Sequence, residues 1–191
     1  MTNPLRELGD AGQAVWLDYL HHKILEDGEL KRLIEEDGVK GLTSNPSIFE
    51  KAIGDGDAYD ARVQAELKRG DTAPTALFER IAIEDIQAAA DLFRPTFDAL
   101  GGKDGFVSLE VSPTLANDTA GTVAEARRLW GEVGRPNLMV KVPGTEAGVP
   151  ALVPGTLIIR FGRSTARHSR RASAMVPSVS MARVGETSRL T

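Results

Sequence analysis

Residues 106–113 read Phe-Val-Ser-Leu-Glu-Val-Ser-Pro, an almost continuous apolar run that stops at a proline. Strands buried in a parallel sheet have this composition, and proline cannot continue a central strand. Residues 119–130 then repeat apolar side chains at helical spacing, and residues 138–142, Leu-Met-Val-Lys-Val, form another short apolar run. The stretch from 106 to 142 therefore predicts a strand, a helix and a second strand, which together form one βαβ unit.

The same alternation extends towards the N-terminus. Short apolar runs end at an acid or before Pro46, and the helical segments are closed by glycine or carry apolar residues every three or four positions. Pro95 predicts a kink or a break in the longest helix. The predicted elements are strands at 13–18 and 39–43 and helices at 28–38, 57–69 and 78–100. The order βαβαβαβ predicts an α/β fold with a parallel sheet, either doubly wound or closed into a (β/α)8 barrel.

The composition excludes several classes of protein. The 191 residues are 41% hydrophobic and 26% charged, which is typical of a folded soluble domain and not of a disordered segment. We find neither a membrane-spanning apolar stretch nor a secretory signal, so we expect a cytoplasmic protein with no membrane partner. The absence of cysteine excludes disulfides, thiolate metal sites and cysteine nucleophiles. A net charge of −4 argues against a nucleic-acid partner.

Charge is distributed unevenly along the chain. Residues 1–151 contain 16 Lys and Arg against 26 Asp and Glu, whereas residues 152–191 contain seven Arg, no Lys and one acidic residue. Residues 160–174 of this Arg- and Ser-rich tail have neither helical nor strand periodicity and show no barrel strand, and we expect the tail at 152–191 to be disordered. Our favoured hypothesis is a reading-frame change near residue 152. A basic appendage that binds nucleic acid or an acidic partner, and a splice or fusion product, are the alternatives.

Each of the four predicted strands has a polar side chain at or just beyond its C-terminal end: Asp18, Asn45, Glu110 and Lys141. In a parallel barrel these ends share one face, where enzymes of this architecture form their active sites. A single strand-end Asp or Asn is more often a helix cap or turn residue. Glu110 and Lys141, however, interrupt strongly apolar strands, where ionisable groups are rare unless they are paired or functional. The positions together predict an active-site rim.

A lysine in an apolar strand suggests amine chemistry. Desolvation disfavours the ammonium form, and a neutral amine attacks a carbonyl to form a Schiff base. The protonated imine is an electron sink for cleavage of a carbon–carbon bond, and Asp18 and Glu110 are candidates to move the protons. The alternative for Lys141 is a structural ion pair with Glu110 or Asp18. His21 and His22 have no partners at ligand spacing and are expected to face solvent, so no metal site is predicted.

Four segments of the chain resemble transaldolases, and their order and spacing match as well. They are Val-Trp-Leu-Asp at 15–18, Lys-Gly-Leu-Thr-Ser-Asn-Pro-Ser-Ile-Phe at 40–49, Ser-Leu-Glu-Val-Ser-Pro at 108–113 and Met-Val-Lys-Val-Pro-Gly-Thr at 139–145. The resemblance covers about residues 3–151 and is greatest to the bacterial branch of the family. It implies a (β/α)8 barrel of the class I aldolase type, in the non-oxidative pentose phosphate pathway, with neither metal nor organic cofactor.

The implied reaction moves a dihydroxyacetone unit from sedoheptulose 7-phosphate to glyceraldehyde 3-phosphate, giving erythrose 4-phosphate and fructose 6-phosphate. By position, Lys141 resembles the Schiff-base lysine and Asp18 the acid/base group of carbon–carbon cleavage. Glu110 resembles the carboxylate that handles a catalytic water. The residues that the resemblance places at the substrate are Asn45, as a hydroxyl ligand, and Thr43 and Ser44 in supporting roles.

A complete (β/α)8 barrel takes about 250 residues, and only four predicted strands precede residue 152. We therefore expect residues 1–151 to form the first four βα units, a truncated half-barrel whose open edges and apolar faces favour self-association or partial unfolding. Two functions of different class follow, a transaldolase acting on sugar phosphates and an inactive fragment that self-associates. A fructose 6-phosphate aldolase-like lyase is a further alternative, because Schiff-base cleavage needs the lysine but no acceptor pocket.

Overall fold

The computed structural model describes residues 3–54, 57–70 and 73–148, together with the backbone of 180–182. The strands are β1 (Val15–Leu17), β2 (Gly41–Thr43), β3 (Phe106–Glu110), β4 (Leu138–Lys141) and β5 (Ser180–Ala182). They form one parallel sheet in the order β4-β3-β2-β1-β5. The first four strands therefore lie side by side in chain order, with helical connections between them, as the βαβ pattern predicts.

The described part of the chain contains seven α-helices and one 3-10 helix (Pro113–Leu115). The α-helices are α1 (Pro4–Asp10), α2 (His22–Glu26), α3 (Glu29–Glu35), α4 (Pro46–Gly54), α5 (Asp60–Lys68), α6 (Pro74–Ala99) and α7 (Thr119–Val133). Three of them, α1, α2 and α4, were not predicted from the sequence. Pro46 ends the β2 segment as predicted and also begins α4, because proline suits the first position of a helix. No helix in the described ranges is long and apolar enough to cross a membrane.

Pro95 does not interrupt the longest helix. The sequence predicts a kink or a break there, but α6 continues through it from Pro74 to Ala99, so the predicted break is wrong. A proline removes one hydrogen bond to the carbonyl four residues earlier, here that of Asp91. Both residues are exposed, so water can hydrate this carbonyl and the helix continues.

A strand that was not predicted from the sequence lies in the tail, at residues 180–182. Strand β5 pairs there in parallel with β1, with Val15 beside Ser180 and Leu17 beside Ala182. Strand pairing joins backbone groups, so an edge strand can accept a partner that shows no apolar periodicity. The rest of the tail and its predicted boundary at residue 152 lie outside the described residues, and the predicted disorder stays a prediction.

Alternation along the strands separates two faces of the sheet. The outer face packs against α6 and α7 and forms the main core, which buries Leu17, Leu42, Val107, Leu109 and Val140 against Ile86, Ala89, Phe93, Ala126 and Leu129. The opposite face is called the inner face here. Its residues are Trp16, Asp18, Gly41, Thr43, Phe106, Ser108, Glu110, Met139 and Lys141. On β4 the inner-face side chains are only half-buried, whereas the outer ones are fully buried.

Gly41 allows the close approach of Trp16 on the inner face. The two residues are register partners on β2 and β1, and a Cβ atom on Gly41 would lie within 3.0 Å of three indole carbons. The indole also stacks on Phe106, with ring centroids 6.5 Å apart. We predict that Gly41→Ala lowers the free energy of unfolding by about 1–3 kcal/mol, because the added methyl overpacks this layer.

Urea unfolding of Gly41→Ala beside Gly131→Ala checks this prediction. Gly131 lies within α7, and a Cβ there would meet no atom within 4 Å. The control should keep the wild-type stability or gain about 0.5–1 kcal/mol, since alanine is the better helix former. An equal loss in both variants would contradict the packing argument.

Candidate active site

The four residues predicted to form a rim lie at one edge of the sheet. Asp18 directly follows β1, Asn45 lies two residues beyond β2, and Glu110 and Lys141 are the last residues of β3 and β4. Because the strands are parallel, their carboxyl ends all meet this edge. A proline follows each of β2, β3 and β4 within three residues, so these strands end close to the predicted side chains.

Glu110 and Lys141 form an ion pair on adjacent strands. They are register partners, and Lys141 Nζ lies 3.2 Å from Glu110 Oε2. Their side chains are 28% and 30% exposed, so a ligand can reach both groups. The structural ion pair that was the alternative for Lys141 therefore exists. The same contact is what amine chemistry needs, since it places a proton acceptor beside the nitrogen.

Asp18 is paired with Thr43. The Thr43 hydroxyl donates to Asp18 Oδ1 over 2.5 Å, and Thr43 is only 5% exposed. A short bond from a buried hydroxyl fixes the direction of the Asp18 carboxylate. Within the described residues, no hydrogen bond or ion pair joins Asp18 and Thr43 to Glu110 and Lys141. The structure thus brings the predicted residues together as two pairs at opposite sides of the inner face.

Ser44 and Asn45 make local contacts at the end of β2. The Ser44 hydroxyl is fully buried and donates to the Ser108 carbonyl over 2.6 Å, which ties this end of β2 to β3. Asn45 Oδ1 accepts from the Ile48 N–H over 2.9 Å, so it caps the start of α4. The side-chain amide NH2 of Asn45 is the group that could still donate to a ligand. Substrate binding by these two residues stays a prediction.

Ser108 is an inner-face residue that the sequence analysis did not single out. It lies beside Thr43 in the register and two residues before Glu110 on β3. Its hydroxyl is buried and has no hydrogen-bond partner in the part of the chain that the structure describes. A serine at an alternating position of an apolar strand, on the same face as Glu110, is the signal that could have identified it.

A second polar cluster, centred on Asp85 of α6, lies away from the inner face. Asp85 is 1% exposed, and its carboxylate accepts from the Tyr59 hydroxyl over 2.8 Å and from Arg62 Nη1 over 2.5 Å. His22 Nδ1 lies 3.0 Å from the same carboxylate, and the backbone N–H of His22 donates to the Tyr59 hydroxyl oxygen over 2.7 Å. Burial and the charge of Asp85 raise the pKa of the Tyr59 phenol, which keeps it a donor.

The predicted exposure of the two adjacent histidines is wrong. The His22 side chain is only 21% exposed because it belongs to the Asp85 cluster, and His21 caps α2 by accepting from the Lys23 N–H. His21 also packs edge-on against Tyr59, with ring centroids 5.4 Å apart. These contacts hold the connection that follows Asp18 against α5 and α6. The described residues contain no group of three or more His, Cys, Asp or Glu side chains arranged to hold a metal ion.

The charge of the inner face is uneven. Lys141 is the one cation among its described residues, and Glu110 pairs with it, while Asp18 carries a further negative charge. A phosphate group would find no free cation on the described part of this face.

Comparison with known proteins gives consistent matches. The family model described as transaldolase/fructose-6-phosphate aldolase matches residues 15–153. The chain is 48% identical to transaldolase 2 of a Nostoc species over 151 residues, which are 78% of this chain and 39% of that protein. It is 51% identical to a transaldolase of Thermobifida fusca over 152 residues, which are 80% of this chain and 41% of that protein. The chain thus spans about two fifths of the length of the curated relatives that it matches.

Proposed function

The chain belongs to the transaldolase/fructose-6-phosphate aldolase family, and from this premise we propose that Lys141 forms a Schiff base with a ketose phosphate. We further propose that strands β1 to β4 and their helices form the first four βα units of a (β/α)8 barrel. The observation that carries the proposal is the contact between Lys141 Nζ and Glu110 Oε2, 3.2 Å long, at the carboxyl edge of a parallel sheet. Four parallel strands in chain order with helical connections support the barrel.

Imine formation starts with proton transfer from the Lys141 ammonium to Glu110. The neutral amine attacks C2 of the ketose, so that a C–N bond forms and the π bond of the carbonyl breaks, and the attacking nitrogen passes one proton to the oxygen, which becomes a hydroxyl. Glu110 returns its proton to this hydroxyl, which leaves as water while the C=N bond forms. The balance is one water released and one cationic imine at C2, with Glu110 again a carboxylate.

Cleavage follows at the C3–C4 bond. Asp18 takes the proton of the C4 hydroxyl, the C4–O bond becomes a carbonyl, and the electrons of the C3–C4 bond move to the imine nitrogen. An aldose phosphate leaves, and a dihydroxyacetone unit remains on Lys141 as an enamine. Attack of C3 on an acceptor aldehyde reverses the step, and Asp18 returns its proton to the new hydroxyl.

Both pairs have to reach one substrate. Three strand spacings separate β1 from β4 along the sheet, about 14 Å. Side chains on the inside of a curved sheet converge, whereas those on a flat sheet stay apart. Barrel curvature is therefore part of the proposal, because it brings Asp18 towards the C4 hydroxyl of a sugar bound to Lys141.

A transferase and a lyase differ in the fate of the enamine. A transferase passes the three-carbon unit to an acceptor aldehyde, whereas a lyase releases it. Transfer needs a site for a second sugar phosphate, and the described inner face has no free cation for one. An inactive fragment that self-associates is the second candidate. The position of β4 at the edge of the described sheet supports it, because the backbone groups of an edge strand can pair with another chain.

Intact-mass measurement after incubation with fructose 6-phosphate and borohydride tests the proposal. We expect a stable mass increase that maps to Lys141 by peptide analysis. Added erythrose 4-phosphate should yield sedoheptulose 7-phosphate from a transferase, whereas a lyase releases glyceraldehyde 3-phosphate without it. Absence of any adduct in a monodisperse sample of the correct mass would refute the Schiff-base proposal. Light scattering on the same sample measures self-association.

A further inference from the structure

Thr43 holds Asp18 through a contact between neighbouring strands. Its hydroxyl lies 2.5 Å from Asp18 Oδ1. Thr43 is the last residue of β2, and the register of Trp16 with Gly41 and of Leu17 with Leu42 places Asp18 beside it. The next residue, Ser44, is anchored to the Ser108 carbonyl of β3. Thr43 is also the register partner of Ser108 on β3, so contacts with both neighbouring strands set the position of its hydroxyl.

The same geometry limits what else Thr43 can do. A hydroxyl has a single proton to donate, and here that proton is used on Asp18. The residue is 5% exposed, and a β-branched side chain has little freedom to rotate towards a ligand. Direct donation to a sugar hydroxyl would require the bond to Asp18 to break.

We propose that Thr43 is a positioning residue for Asp18 and not a ligand of the substrate. This inference rests on the proposed function and assigns a different role to each carboxylate oxygen of Asp18. Oδ1 is occupied by the Thr43 hydroxyl, and Oδ2 accepts the proton of the C4 hydroxyl. Thr43 thereby acts on carbon–carbon cleavage and leaves imine formation at Lys141 unchanged.

The mass of the trapped adduct distinguishes these two steps. Borohydride traps the whole fructose 6-phosphate if cleavage is slow and the three-carbon dihydroxyacetone unit if cleavage is fast. In Thr43→Val, which keeps the shape of the side chain but removes the donor, we expect the adduct to change from the three-carbon unit to the whole sugar phosphate. We expect kcat for cleavage to fall about 100-fold, with KM within about threefold, because a misdirected acid/base group loses proton transfer but not binding.

Thr43→Ser is the matched control. It restores the donor, so the three-carbon adduct and a kcat within about threefold of wild type are expected. If Thr43→Val gives the three-carbon adduct at the wild-type rate, the positioning role is refuted. The same holds if its KM rises while kcat is unchanged, since that result indicates a substrate ligand.

A second measurement is independent of activity. If the wild-type chain forms no adduct, the proposed function fails, but the contact itself can still be tested by urea unfolding of Thr43→Val, Asp18→Leu and the double variant. A real contact makes the two substitutions non-additive, so that Thr43→Val costs less stability once Asp18 is replaced. Additive losses would overturn the inference, because they would show that Thr43 does not act on Asp18.

Discussion

Replacement of Lys141 by alanine is expected to abolish the borohydride-trapped adduct completely. The amine is the atom that bonds to the substrate, and no neighbouring group can replace it, since Lys141 is the one cation of the described inner face. The measurement is the intact mass after incubation with fructose 6-phosphate and borohydride, with the wild-type chain treated in parallel. We expect only the unmodified mass in the variant.

Stability does not account for this loss. Lys141 and Glu110 are both partly exposed, and ion pairs of this kind contribute about 0–1 kcal/mol, so the variant should stay folded. Lys103→Ala, at an exposed lysine before β3, is the matched control and should retain the full adduct. Persistence of the adduct in Lys141→Ala would show that another amine reacts and that the assignment of Lys141 is wrong.

Asp85→Asn is expected to have the largest effect on stability, lowering the free energy of unfolding by about 3–5 kcal/mol. The carboxylate accepts from Tyr59 and Arg62 at a site that is 1% exposed. In the variant, the half-buried Arg62 cation loses its charged partner and keeps only a neutral amide. The NH2 group of that amide is also a donor, so it cannot accept from the Tyr59 hydroxyl or from Arg62. Urea unfolding followed by circular dichroism measures the change. Since small domains have about 5–15 kcal/mol in total, a loss of this size is readily detected.

Glu84→Gln is the matched control, because it removes the charge of an exposed partner of Arg62, whereas Asp85→Asn removes that of a buried one. Glu84 Oε2 also pairs with Arg62, at 2.5 Å, but its side chain is 47% exposed. Exposed ion pairs contribute about 0–1 kcal/mol, so this variant should unfold close to wild type. Similar losses in the two variants would mean that burial of Asp85 contributes nothing and that the cluster is an ordinary surface network.

Short-range patterns were sufficient for most of the architecture. Apolar runs ended by an acid or by proline marked β1 to β4, and these strands appear within two residues of their predicted bounds. Charged residues in such runs marked Glu110 and Lys141, because an ionisable group in an apolar strand requires a partner or a function. The edge on which they lie followed from parallel strand order alone. Short helices such as α4 and the continuity of α6 through Pro95 were missed, since both depend on packing and solvation around the segment.

The sequence by itself determined which residues stand at the carboxyl ends of the strands. Only the tertiary structure decided which of them touch: Lys141 with Glu110, Asp18 with Thr43, Ser44 with the β3 backbone and Asn45 with α4. The contacts of the Asp85 cluster and the pairing of β5 with β1 were likewise decided only by the tertiary structure. The physical reason is register: a shift of one residue between two strands would turn each side chain to the opposite face. The spacing of apolar residues can be read within one segment of the sequence. The register between two strands cannot, because it is set by contacts between segments far apart in the chain.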